Sequence, residues 1–62
     1  MEIELNLSDL ITWCWNNPSK ETRVFHSTTD EEVSVAVYPN GSVNTGYFGV
    51  YANDNDSFEV IY

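Results

Sequence analysis

Glu32 to Tyr51 reads E-V-S-V-A-V-Y-P-N-G-S-V-N-T-G-Y-F-G-V-Y. Val33, Val35 and Val37 alternate with Ser34, Ala36 and Tyr38, the two-residue period of a half-buried strand. Pro39 presets φ for the first corner of a type I turn, and Gly41 suits the left-handed position that closes it. A three-residue loop pairs Tyr38 with Ser42, Val37 with Val43, Val35 with Thr45 and Val33 with Tyr47, which gathers the larger side chains on one face. A two-residue Asn40-Gly41 loop sets Val37 against Asn44 and Val35 against Gly46, a poorer match. The first register is expected. Its second strand, Tyr47 to Tyr51, is apolar on both faces, so it is expected to be covered on both or to lie centrally. Gly46 and Gly49 point to a bulge or a close backbone approach there.

Working outward, Met1 to Asn6 alternates Ile3 and Leu5 with Glu2 and Glu4, either as a short strand or as a lead-in to a helix. Ser8 suits an N-cap, and Asp9 complements the helix dipole. Leu7, Leu10, Ile11, Cys14 and Trp15 then fall on one stripe at helical spacing, with Trp13 off it. Asn16-Asn17-Pro18 ends the helix, because Pro18 disfavours helix for the residue before it. Thr22 to Ser27 reads as a strand, Thr28-Thr29-Asp30 as a turn and Asn53 to Asp56 as a loop. Phe58, Val60 and Tyr62 alternate with Glu59 and Ile61 as a last strand. The expected fold is α+β: a short N-terminal helix on a four-stranded antiparallel meander, with room for an extra N-terminal strand.

Sixty-two residues form one domain, near the lower limit at which a chain folds on its own core. Cys14 is the only cysteine, the usage of a reducing compartment. With no basic segment leading into an apolar run and no apolar stretch of about 20 residues, a cytoplasmic protein is expected. Ten carboxylates face two cations, Lys20 and Arg23, for a net charge of −8. That field repels nucleic acid and anionic membrane and attracts basic protein surfaces.

In a meander, the turn at Thr28 to Glu31 and the loop at Ala52 to Asp56 share one end of the sheet. Asp30, Glu31, Glu32, Asp54 and Asp56 then crowd one rim, with no lysine or arginine among them. Such a row either imitates the phosphates of a nucleic acid or is a solvated rim that discourages sheet association. Trp13, with Tyr38 or Tyr51, supplies apolar anchors for a partner, although Trp13 is equally placed to cover a sheet edge. No metal site or cofactor is expected: Asp54 to Glu59 lacks the glycine and distal glutamate of a calcium loop, and one cysteine with one histidine cannot enclose zinc. Cys14 and His26 have no orienting third group, so no catalytic residues and no enzyme are expected.

Leu10-Ile11-Thr12-Trp13-Cys14-Trp15-Asn16-Asn17-Pro18 resembles the opening of small uncharacterised accessory proteins of phages of Gram-positive bacteria, of the type L-I-x-W-A-W-x-N-P. Those proteins continue with a polar turn and β-rich segments to an ending that Asp56-Ser57-Phe58-Glu59-Val60 resembles, and the whole resemblance touches about a third of the chain. The chain departs from the pattern in carrying Cys14 where a small residue is usual. The resemblance brings no activity and no site residues. It implies a setting in which compact acidic proteins, anti-CRISPR and anti-restriction proteins among them, inhibit host nucleic-acid-handling or defence machinery. Joined to the charge, it yields the expectation of an inhibitor that binds a basic surface of a host nucleic-acid-binding protein or nuclease complex. The alternative expectation is an assembly module, a homodimer formed through sheet edges or an aromatic surface.

Overall fold

A computed structural model describes all 62 residues, Met1 to Tyr62. The chain runs β1 (Glu2–Leu5), α1 (Leu7–Asn16), β2 (Arg23–His26), β3 (Ser34–Val37), β4 (Val43–Asn44) and β5 (Phe58–Ile61). The α+β class holds, and its strands divide between two antiparallel sheets: the pair β1-β5 and the meander β2-β3-β4. A single bridge, Ser27 opposite Phe58, joins them. No helix is long and apolar enough to cross a membrane.

The hairpin forms in the expected register at its turn. Val37 faces Val43, the Tyr38 N–H donates to the Ser42 carbonyl at 2.9 Å, and Gly41 adopts φ +90°. Beyond Asn44 the expected strand does not continue. The Asn44 side chain accepts from the Gly46 N–H at 3.0 Å and turns the backbone away from the ladder. Gly49, at φ +93°, reverses the chain, and the Ala52 N–H donates to the Thr45 carbonyl at 2.8 Å, closing a loop. Tyr47 to Tyr51 is therefore a surface loop, and the four-stranded meander stops at three strands.

That truncation leaves β5 without the neighbour expected for it, and β1 fills the place. Glu2 faces Ile61, Ile3 faces Val60, Glu4 faces Glu59 and Leu5 faces Phe58. The optional N-terminal strand is thus a strand, and alternation puts Ile3, Leu5, Phe58 and Val60 on the core side. Leu10, Cys14, Val33, Val35, Val37, Phe58 and Val60 form the core, with Leu7, Trp13 and Phe25 packed against it. Every residue of β3 is buried, so β3 is the strand covered on both faces. Val35 and Val37 face the core. Ser34 and Ala36 face the other way, toward the Tyr47–Tyr51 loop, whose Tyr47 N–H donates to the Ser34 carbonyl at 3.3 Å.

The helix begins earlier than Ser8. Asn6 is the N-cap, in extended backbone, its side chain accepting from the Asp9 N–H at 2.9 Å. Ser8 is freed because Asp54 reaches the helix N-terminus. The Asp54 carboxylate accepts from the Ser8 N–H at 3.0 Å and from the Ser8 hydroxyl at 2.8 and 3.0 Å. A carboxylate there satisfies an orphan donor and meets the positive end of the helix dipole. At the other end the Asn17 side chain donates to the Trp13 carbonyl at 2.8 Å, closing the helix where Asn16-Asn17-Pro18 predicts.

Replacing Asp54 with Ala removes that cap and is expected to lower stability by about 1 kcal/mol, or about 5 °C in Tm for a domain this small. Asp54→Asn, which keeps an acceptor oxygen, should lose less. Thermal unfolding followed by circular dichroism checks this, and equal Tm values for all three proteins would remove Asp54 from the capping role.

Candidate functional site

The turn after β2 and the loop before β5 do meet, as the sequence predicts, although by a different topology. The Thr28 N–H donates to the Ser57 carbonyl at 2.8 Å, and the Ser57 N–H donates to the Thr29 hydroxyl at 3.2 Å. Of the five carboxylates expected to crowd this rim, however, two are occupied internally. Asp54 caps the helix. Asp56 is buried, its Oδ2 accepting from the Asn53 N–H at 3.0 Å and its Oδ1 lying 3.4 Å from the Thr29 hydroxyl. Neutralising this pair would test the fold. Asp30, Glu31 and Glu32 remain exposed; Asp30 uses one oxygen to accept from the Glu32 N–H at 3.0 Å, an Asx turn that fixes the shape of the corner.

The acidic surface continues beyond the five carboxylates expected at this rim. The Thr28 hydroxyl donates to Glu4 Oε1 at 3.4 Å, linking the Asp30–Glu32 corner to the outer face of the β1-β5 pair. On that face Glu4 stands directly opposite Glu59, with Glu2 two residues along β1. Same-face carboxylates in such a pair lie about 7 Å apart along a strand and about 5 Å apart across it. Like charges directly opposite repel. The Glu59 pKa is accordingly raised above its ordinary 4.5, first by a hydrogen bond with Glu2, then by the charges of Glu2 and Glu4. Neither Lys20 nor Arg23 forms an ion pair with these carboxylates.

An aromatic patch borders the same corner. The Tyr47–Tyr51 loop exposes Phe48 (63 %) and Tyr51 (76 %), with Tyr47 and Val50 partly covered. Phe48 stacks on His26, ring centroids 6.3 Å apart and planes within 10°, while His26 Nδ1 and the Ser34 hydroxyl are hydrogen-bonded at 2.7 Å. Because His26 and Ser34 flank the β2–β3 turn, the patch lies beside Asp30 to Glu32. Tyr51 folds its ring over Gly46, where a Cβ would come within 2.8 Å of it.

The other anchors expected from the sequence sit elsewhere. Trp13 is half-buried against the core, 6.4 Å from the Tyr62 ring and under the Arg23 guanidinium, whose carbon is 5.7 Å from the ring centre. It covers the core as a rim residue, so the exposed tryptophan is Trp15, at 61 %. Trp15 donates its Nε1–H to the Gly41 carbonyl at 3.1 Å and lies, with Tyr38, at the opposite end of the β2-β3-β4 sheet from the acidic corner. Cys14 is buried, and burial raises its thiol pKa above the ordinary 9.0 despite the opposing charge of Arg23. No grouping of histidine, cysteine and carboxylates that could hold a metal ion is present.

A raised Glu59 pKa means that the folded protein holds this proton more tightly than the unfolded chain. The stabilisation is complete below the ordinary value of 4.5 and is lost as pH rises through the raised pKa. Glu59→Gln should therefore raise Tm at pH 7, with the gap over the parent protein closing as pH falls below 4.5. Melting curves across that range test it; a gap independent of pH would mean that repulsion among Glu2, Glu4 and Glu59 is not the cause. No protein-family model, curated protein or solved structure matches the chain.

Proposed function

We propose that this protein is an acidic protein-binding module that docks on a basic surface of a nucleic-acid-handling protein and blocks it. The observation that supports this most directly is the continuous run of unneutralised carboxylates from Asp30, Glu31 and Glu32 through Glu4 to Glu59 and Glu2, bordered by exposed Phe48 and Tyr51. Carboxylates in a row give fast, salt-sensitive encounter with a cationic groove. Aromatic side chains beside them supply the apolar contacts that hold the complex. The resemblance of Leu10 to Pro18 to phage accessory proteins makes a host nuclease or defence complex the partner class. Binding, rather than catalysis, is the chemistry such a surface offers.

A nuclease-treated bacterial lysate is passed over the immobilised protein, and bound proteins are identified. The wild-type protein should retain a nucleic-acid-handling protein that salt or added DNA releases. The triple change Asp30→Asn, Glu31→Gln, Glu32→Gln and the single change Phe48→Ala should each abolish retention while leaving Tm nearly unchanged. Retention that survives both sets of changes sinks the proposal.

A second reading, self-association, has one feature in its favour. Met1, Ile61 and Tyr62 are exposed around β1, whose outer edge has no partner. It predicts a mass that rises with concentration in sedimentation and is indifferent to the changes at Asp30 to Glu32 and at Phe48.

A further inference from the structure

A cavity of about 250 Å³ opens between the C-terminal end of α1 and the β3–β4 turn, at the far end of the β2-β3-β4 sheet from the acidic corner. Trp15, Pro18, Tyr38 and Pro39 give it flat apolar walls, and no carboxylate lines it. The walls are set before any ligand arrives. The Trp15 indole Nε1–H donates to the Gly41 carbonyl at 3.1 Å, which ties the helix wall to the β3–β4 turn.

Arg23 also lines this cavity, and its bonding is incomplete. Its Nη2 donates to the Cys14 carbonyl at 3.2 Å, and its guanidinium rests on Trp13. Its Nε is buried without any acceptor. In a chain with ten carboxylates and two cations, a half-buried arginine left without an anion is anomalous. Cys14, which also lines the cavity, stays a neutral thiol because burial raises its pKa, so it does not cancel the charge.

We propose that this cavity binds a small organic carboxylate: one aromatic ring bearing an acid group, the ring between Trp15, Tyr38 and the prolines and the acid on Arg23. Arginine is the side chain suited to planar carboxylates, and its charge-assisted hydrogen bonds are the strong ones. Size agrees. A cavity near 150 Å³ holds benzene and drug-sized ligands need about 300 Å³ or more, so 250 Å³ admits a single substituted ring.

Benzoate and its neutral isostere benzamide are the probes, titrated into the ¹⁵N-labelled protein by NMR. Benzoate should shift the Trp15 Nε1–H and Arg23 Nε–H signals saturably, with a Kd at least about tenfold below that of benzamide, the scale of one charge-assisted hydrogen bond. Arg23→Gln should bring the two Kd values together. Because Arg23 also touches Trp13 and Cys14, Trp15→Ala, at an exposed wall, serves as the variant that spares the core, and it should weaken benzoate severalfold. Equal affinities of the two probes for the wild-type protein, or benzoate shifts confined to residues outside the cavity, would overturn the proposal.

Discussion

Ser27 opposite Phe58 is the one bridge between the two sheets, and the fold depends on it. A chain of 62 residues buries only ten of them, so it cannot sustain two separate cores. Phe58, fully buried, pairs with Leu5 on one side and meets Ser27 on the other, which draws β1, β2 and β5 around a single cluster. Leu10 and Cys14 of α1 close that cluster, and Val33, Val35 and Val37 supply the opposing surface.

The carboxylates divide by what they face. Asp54 meets a helix N-terminus, Asp56 meets backbone and hydroxyl donors in a turn, and Asp30 shapes its own corner. Those three draw on uncharged N–H and O–H groups, which explains how a chain with so few cations can seat so many anions. Glu2, Glu4 and Glu59 face one another, and of these donors only the Thr28 hydroxyl, 3.4 Å from Glu4 Oε1, reaches them. The distribution is uneven in space as well. One end of the molecule is acidic and aromatic; the other holds Arg23 beside an apolar hollow.

Much of the fold was legible in local chemistry. Pro39-Asn40-Gly41 set the hairpin register, Asn16-Asn17-Pro18 ended the helix, and the alternation from Phe58 placed the last strand. The misreadings share a cause: the deciding interaction lay outside the local window. Tyr47 to Tyr51 has strand composition, but Asn44 and Gly49 override it with turn geometry. Helical spacing put Trp15 on the apolar stripe and Trp13 off it, and the structure reverses the two: Trp13 packs against the core under the Arg23 guanidinium, while Trp15 is exposed and bonded to the Gly41 carbonyl. Asp54 and Asp56 look like solvated loop residues until the helix end and Thr29 come into reach. Glu4 and Glu59 became neighbours only through a pairing of the first strand with the last.

That pairing also governs how the chain reaches its fold. Leu5 and Phe58 meet only after nearly the whole intervening chain is gathered in, and the closure entropy of so long a loop must be met before the contact returns anything. The β2-β3-β4 meander is local and can form early; the β1-β5 ladder is the slowest kind of contact. Folding should therefore be a single late closure, slower than in helical domains of this size. Cutting the chain in the Tyr47–Tyr51 loop leaves neither piece with a complete core, so the two halves are expected to fold only in each other's presence.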